Sequence, residues 1–152
     1  WFNNYNGSVA FSGDRVDITK ALIKGTDYAV DDVVTRPAGA EFFGPALGGT
    51  GLATASVNDV EWTWTTTPTD ATHVALLVEL IAGSAVTDAQ VCVVRPSAGA
   101  VDMPASFFSG KTYEYAAITL MTIEQKRTQV PGTTVEVEFM ASANLIGALF
   151  VE

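Results

Sequence analysis

The sequence predicts an all-β fold: a single antiparallel β-sandwich domain, closed as a jelly roll or a Greek key, with about eight to nine strands. Three observations predict it. Apolar and polar residues alternate with period two in several segments, turn residues punctuate the chain between those segments, and the composition favours strands over exposed helices. Only 16% of the 152 residues are charged while 48% are hydrophobic. Much of the remainder is Thr, Ser, Gly and Asn, which suit pleated surfaces and tight turns. A chain of this length fits one domain, 1–152, that buries about two thirds of the surface its unfolded form exposes.

In chain order, Ser8 to Ser12 and Tyr28 to Val34 read as strands, and Arg15 to Lys24 sets Val16, Ile18 and Leu22 on one face. Val60, Trp62 and Trp64 alternate with Glu61, Thr63 and Thr65, so the first three share a wholly apolar face that belongs in a core. Thr72 to Ala82 and Gln90 to Val94 are nearly continuous apolar runs, as strands covered on both faces show. Ala75 to Ala82 also fits a short buried helix. Tyr113 to Glu124, Thr134 to Phe139 and Asn144 to Val151 complete the set, with Val135, Val137 and Phe139 facing inward, opposite Glu136 and Glu138. Turn chemistry separates the strands at Asn6-Gly7, Gly13-Asp14, Pro68-Thr69-Asp70, Gly83-Ser84 and Pro131-Gly132.

Charge and cysteine content exclude several classes. A formal net charge of -9 repels a phosphate backbone and an anionic membrane surface, so no nucleic acid is expected as partner. The most apolar stretch, Val74 to Ala82, is broken by Glu79 and is far shorter than the ~20 residues of a spanning helix, so no membrane insertion is expected. The single cysteine, Cys92, rules out an intrachain disulfide and a cysteine-based metal cluster. The chain opens on Trp1, which fits a leader removed in maturation or a trimmed chain, and virion surface or extracellular is the expected location. Asn6-Gly7-Ser8 matches a glycosylation acceptor, and Asn-Gly is equally a hairpin turn.

No constellation of catalytic residues emerges. A triad would have to pass through the one histidine, His73, which stands at a strand entrance, and no G-x-S-x-G elbow surrounds any serine. Cys92, inside Val91 to Val94, reads as a small apolar side chain with a raised pKa. Glu136 and Glu138, about 7 Å apart on one strand face, loosely match a glycosidase carboxylate pair, but a solvated strand face looks the same. Asp27, Asp31 and Asp32 lack the spacing of a calcium loop. No enzyme activity, metal or cofactor is expected.

Binding residues are the alternative. Trp62 with Trp64, or Tyr113 with Tyr115, could form an aromatic platform for a carbohydrate, each pair being two residues apart on a strand. Two long apolar connections stand out more. The first, 37–51, carries Phe42, Phe43 and Leu47; the second, 96–110, carries Val101, Met103, Phe107 and Phe108. Both follow a Val-Val entry to Arg-Pro and contain Ala-Gly-Ala, which fits either a duplicated half or coincidence. Long exposed apolar loops mark interaction sites, so these residues are the expected subunit contacts. The sequence therefore points to a non-enzymatic structural or assembly subunit, such as a viral capsid or decoration protein or an extracellular filament subunit. Its expected partners are copies of itself or a larger protein lattice. A carbohydrate- or receptor-binding module is the second expectation.

Overall fold

The computed structural model describes residues 9–12, 15–23, 26–35, 37, 39–47, 52–65, 70–134 and 136–152, with 9–34, 137 and 139 described by backbone alone. Ten strands form among the described residues: β1 (Val9–Ser12), β2 (Arg15–Ile23), β3 (Thr26–Thr35), β4 (Ala53–Ala55), β5 (Glu61–Thr63), β6 (His73–Ala82), β7 (Ala85–Val94), β8 (Ala100–Asp102), β9 (Tyr115–Gln129) and β10 (Glu136–Val151). The described helical residues are single 3-10 turns, Pro96–Ala98 and Ala105–Phe107. No helix is long and apolar enough to cross a membrane among the described residues. The expected all-β class holds, and Ala75 to Ala82 lies in strand, not helix.

The described strands make three sheets. β1, β2 and β3 form one; β4-β10-β9-β6-β7 form a five-stranded sheet; β5 and β8 form a two-stranded one. The large sheet is mixed, because β4 runs parallel to the end of β10, with Ala53 to Ala55 beside Leu149 to Val151. Backbone bonds from Val57 to Glu152 and from Glu152 to Ala55 fix that edge, at 2.8 and 2.9 Å.

Local chemistry explains where the strands differ from expectation. The segments 134–139 and 144–151 belong to one strand, since Ala141-Ser142-Ala143 has neither Gly nor Pro to break it and pairs on with β9 in unbroken register from Glu136↔Gln129 to Leu149↔Ala116. Pro131-Gly132 closes that hairpin: Thr133 N–H donates to the Val130 carbonyl at 3.1 Å, and Gly132 takes φ +75°, the conformation a glycine adopts without strain. β7 starts at Ala85, earlier than expected, because Gly83-Ser84 makes a two-residue turn with Ala82 paired to Ala85. A bulge beside that turn leaves Thr87 unpaired in the ladder, and its hydroxyl donates to the Leu80 carbonyl at 3.1 Å.

Alternation fills one face of the large sheet. Val74, Leu76, Val78 and Leu80 of β6 are buried with Ala116, Ile118 and Leu120 of β9 and Leu149 and Val151 of β10. Trp62 of β5 and Val101 of β8 close over them, joined by Val60, Trp64, Met103, Phe107 and Phe108. Each Val, Leu, Ile, Phe or Met among them contributes roughly 1.5–3 kcal/mol by leaving water. The two connections expected as loops supply this cover. Phe43 and Thr63 exchange backbone hydrogen bonds of 2.9 Å on one edge of β5, and β8 pairs with its other edge.

Candidate functional site

Four of the expected subunit contacts are buried within the chain itself. Val101, Met103, Phe107 and Phe108 all lie in the core, which removes them from any contact surface. The expectation failed for Phe107 and Phe108 because they occupy a 3-10 turn and its end, not extended backbone. Successive side chains then diverge by about 120° rather than 180°, so both rings turn inward. Those rings meet edge-on at 5.2 Å, and the Lys111 ammonium caps Phe107 at 3.9 Å.

In the first connection Phe42 is half-buried with its ring edge-on to Trp64 at 5.9 Å. Leu47, also half-buried, covers Gly147, where an added Cβ would come within 2.7 Å of the Leu47 Cβ. Phe43 alone of the two Phe pairs stays outside, 46% exposed.

The aromatic platforms are corrected too. Trp62 and Trp64 are buried, and their indole N–H groups donate to the carbonyls of Pro45 at 3.2 Å and Pro96 at 2.8 Å. The Tyr113 hydroxyl donates to the Val151 carbonyl at 3.1 Å, its ring tilts against Phe108, and burial pushes its pKa up. Tyr115 opens β9 on the side away from Ala116 and the core, so the two tyrosines do not form one platform.

The other candidates have structural surroundings. His73 starts β6 with Nδ1 3.0 Å from Thr72 Oγ1; that hydroxyl donates to the Ile123 carbonyl and accepts the Gln125 N–H. Cys92 sits opposite Leu76 against the core, and burial raises its thiol pKa. Glu138 is held by Gln125 and Arg127, which lower its carboxyl pKa, so it is not an open partner for Glu136. No group of three His, Cys, Asp or Glu side chains gathers to hold a metal among the described residues. Asn6, Val135 and the side chains of Val16, Ile18, Leu22, Asp27, Asp31, Asp32, Val137 and Phe139 lie outside the described residues and side chains, as do the turns at 6–7, 13–14 and 68–69.

What sequence reasoning missed is the other face of the five-stranded sheet. Pairing places Val93 beside Ala75 and Ala75 beside Met121, then Met121 beside Asn144, all pointing away from the core. Val91 (54% exposed), Val93 (53%) and Ile146 (68%) stand on this outer face with Phe150. From His73–Ile81 across to β10, the only carboxylate side chain on it is Glu79. Four strands ~4.8 Å apart, over the nine paired residues of β6 and β9 at ~3.3 Å each, give a plane of roughly 600 Å². That plane also carries His73, Glu79, Thr119 and Asn144, and its extent approaches the ~800 Å² per partner of a standard interface. The signal was present in the sequence. Thr72 to Ala82 and Gln90 to Val94 lack alternation because both sides of these strands are apolar; one side packs into the core, while on the other the small Ala75 is buried and Val91 and Val93 stay more than half exposed.

Comparison of this chain with models of protein families, with curated proteins and with solved structures finds no match.

Proposed function

We propose that this chain is a non-enzymatic structural subunit that assembles with copies of itself through the outer face of its five-stranded sheet. The apolar outer face carries this reading: valines and an isoleucine more than half exposed on a sheet whose opposite side is already packed. In this reading the sandwich expected from the sequence is completed between chains, the outer face of one copy meeting that of another. A like-charged copy is a workable occupant because Glu79 is the one carboxylate that β6, β9 and β10 place on this face between His73 and Ile81, so closing the face buries few of their charges. Low charge and abundant Thr, Ala and Gly suit a capsid, decoration or filament subunit on a virion surface or outside the cell.

Ile146→Lys tests it. The change brings the net charge from -9 towards zero, so lost assembly cannot come from added general repulsion. Light scattering should show wild-type oligomers and single-chain Ile146→Lys, with the melting temperature of the dilute chain unchanged because position 146 is exposed. Equal assembly of both proteins would remove the outer face from the account.

A second reading, binding of a carbohydrate, keeps one observation. The exposed Phe43 ring borders a cleft of about 520 Å³ lined also by Asn58, Asp59, Glu61 and Thr63, a stacking face beside hydroxyl-binding groups. A glycan array with wild type and Phe43→Ala decides it; signal lost in the variant would support a sugar site there.

A further inference from the structure

We infer that β7 is a seam at which two copies of this chain join their five-stranded sheets, in the antiparallel register that sets Val91 opposite Val91 of the second copy. The inference rests on the self-association proposed above and adds to the outer-face contact a second one, at a sheet edge, with its register.

β7 is the outermost strand of its sheet, bonded on one side to β6. Its free edge can be read from one hydrogen bond. Ala89 N–H is taken by its neighbour Asp88 Oδ1 at 2.9 Å, so it points off the sheet rather than into the ladder. Backbone groups alternate along an antiparallel strand, so those of Val91 and Val93 point off the sheet as well. No other turn or loop backbone bond reaches them among the described residues.

Natural edges are blunted by proline, lysine or a bulge. From Ala89 to Val94 this edge has none; the bulge lies at the hairpin end, near Leu80 and Ile81. The charges that flank it are Asp88, neutralised by Lys111 at 2.5 Å, and Arg95, which lies beyond the end of the strand.

Self-pairing follows from this pattern. Only residues whose backbone points outward can bond across the seam, so Ala89, Val91 and Val93 must meet one another. Centring the twofold axis on Val91 pairs all three, Ala89 meeting Val93 at each end, where the Ala89 N–H exchanges Asp88 Oδ1 for the Val93 carbonyl. Moving the axis to Gln90 would enlist Thr87 at the bulge, and moving it to Cys92 would leave Ala89 without a strand partner. In the Val91 register each Asp88 faces Val94, so no like charges oppose. Ala89, Val91 and Val93 of both copies then form one apolar stripe continuous with the two outer faces.

Val91→Pro separates the seam from the face. Proline removes an N–H that points outward, which an edge strand tolerates, so the β6–β7 ladder survives while the seam is blocked. Sedimentation velocity should show association weakened tenfold or more with an unchanged melt. Val91→Lys, altering an exposed side chain, should weaken it in the same direction if Val91→Pro impairs folding. Amide exchange at Val91 and Val93 should slow tenfold or more when wild-type chain is concentrated. Wild-type association by Val91→Pro and Val91→Lys, or unprotected amides in the assembled wild type, would overturn the seam. If Ile146→Lys is then a single chain, the outer face stands without it; if Ile146→Lys also associates normally, both readings fall.

Discussion

At the scale of single residues, Trp64 shows how one side chain ties two parts of the chain together. Its ring receives Phe42, its N–H is held by Pro96, and its own backbone N–H donates to Gly99 at 3.1 Å. Trp64→Ala should therefore lower stability by ~3–5 kcal/mol, through lost burial and a cavity at the junction of both connections. Chemical denaturation measures this, and a loss below about 1 kcal/mol would show that the ring is not the packing centre described. The position of Trp64 was legible in the sequence, because Val60, Trp62 and Trp64 alternate with polar residues. The positions of Phe107 and Phe108 were not. Whether adjacent rings diverge or turn in together depends on a 3-10 turn set by tertiary contacts, and no periodicity marks it.

At the scale of elements, the hairpin of β9 and β10 runs past the end of β6, whose pairing with β9 stops at His73↔Ile123. Beyond it the two strands continue as a ribbon bearing Gln125, Arg127 and Glu138. Gln125 and Arg127 hold the Glu138 carboxyl below the ordinary glutamate range. A carboxylate depressed in the folded state adds stability above its unfolded pKa, and that contribution is lost as pH falls through the folded value. Arg127→Gln should raise the Glu138 pKa towards the ordinary range, leaving the Gln125 bond in place. NMR titration of the side-chain carboxyl reads the shift directly; an unmoved value would mean the 2.7 Å contact with Arg127 does not persist in solution. The length of this hairpin escaped the sequence reading because Ala141, Ser142 and Ala143 carry neither alternation nor a break. β4 and β8, at three residues each, escaped it for a related reason. Strands so short exist because β10 and β5 present edges to them, a tertiary cause that local propensity does not encode.

At the scale of the whole molecule, the burial pattern is lopsided. One side of the five-stranded sheet meets β5, β8 and the two long connections, and the other presents Val91, Val93, Ile146 and Phe150 outward. The sequence announced both sides as apolar, which is why β6 and β7 read as strands covered twice. It could not say which cover came from within the chain. The two connections looked like contact surfaces for the same reason: their apolar residues needed burial, and the fold supplied it internally. A surface fit for partners thus passes from the connections to the sheet.

Oxidation of the methionines tests the covered outer face most directly, because the three methionines include an internal standard. Met103 is buried in the core, whereas Met121 is on the outer face beside Asn144 and Ala75. With peroxide, followed by mass spectrometry, Met121 of concentrated wild-type chain should oxidise nearly as slowly as Met103, and faster on dilution or in Ile146→Lys. Equally fast oxidation of Met121 in wild type and Ile146→Lys at every concentration, with Met103 still protected, would contradict the account.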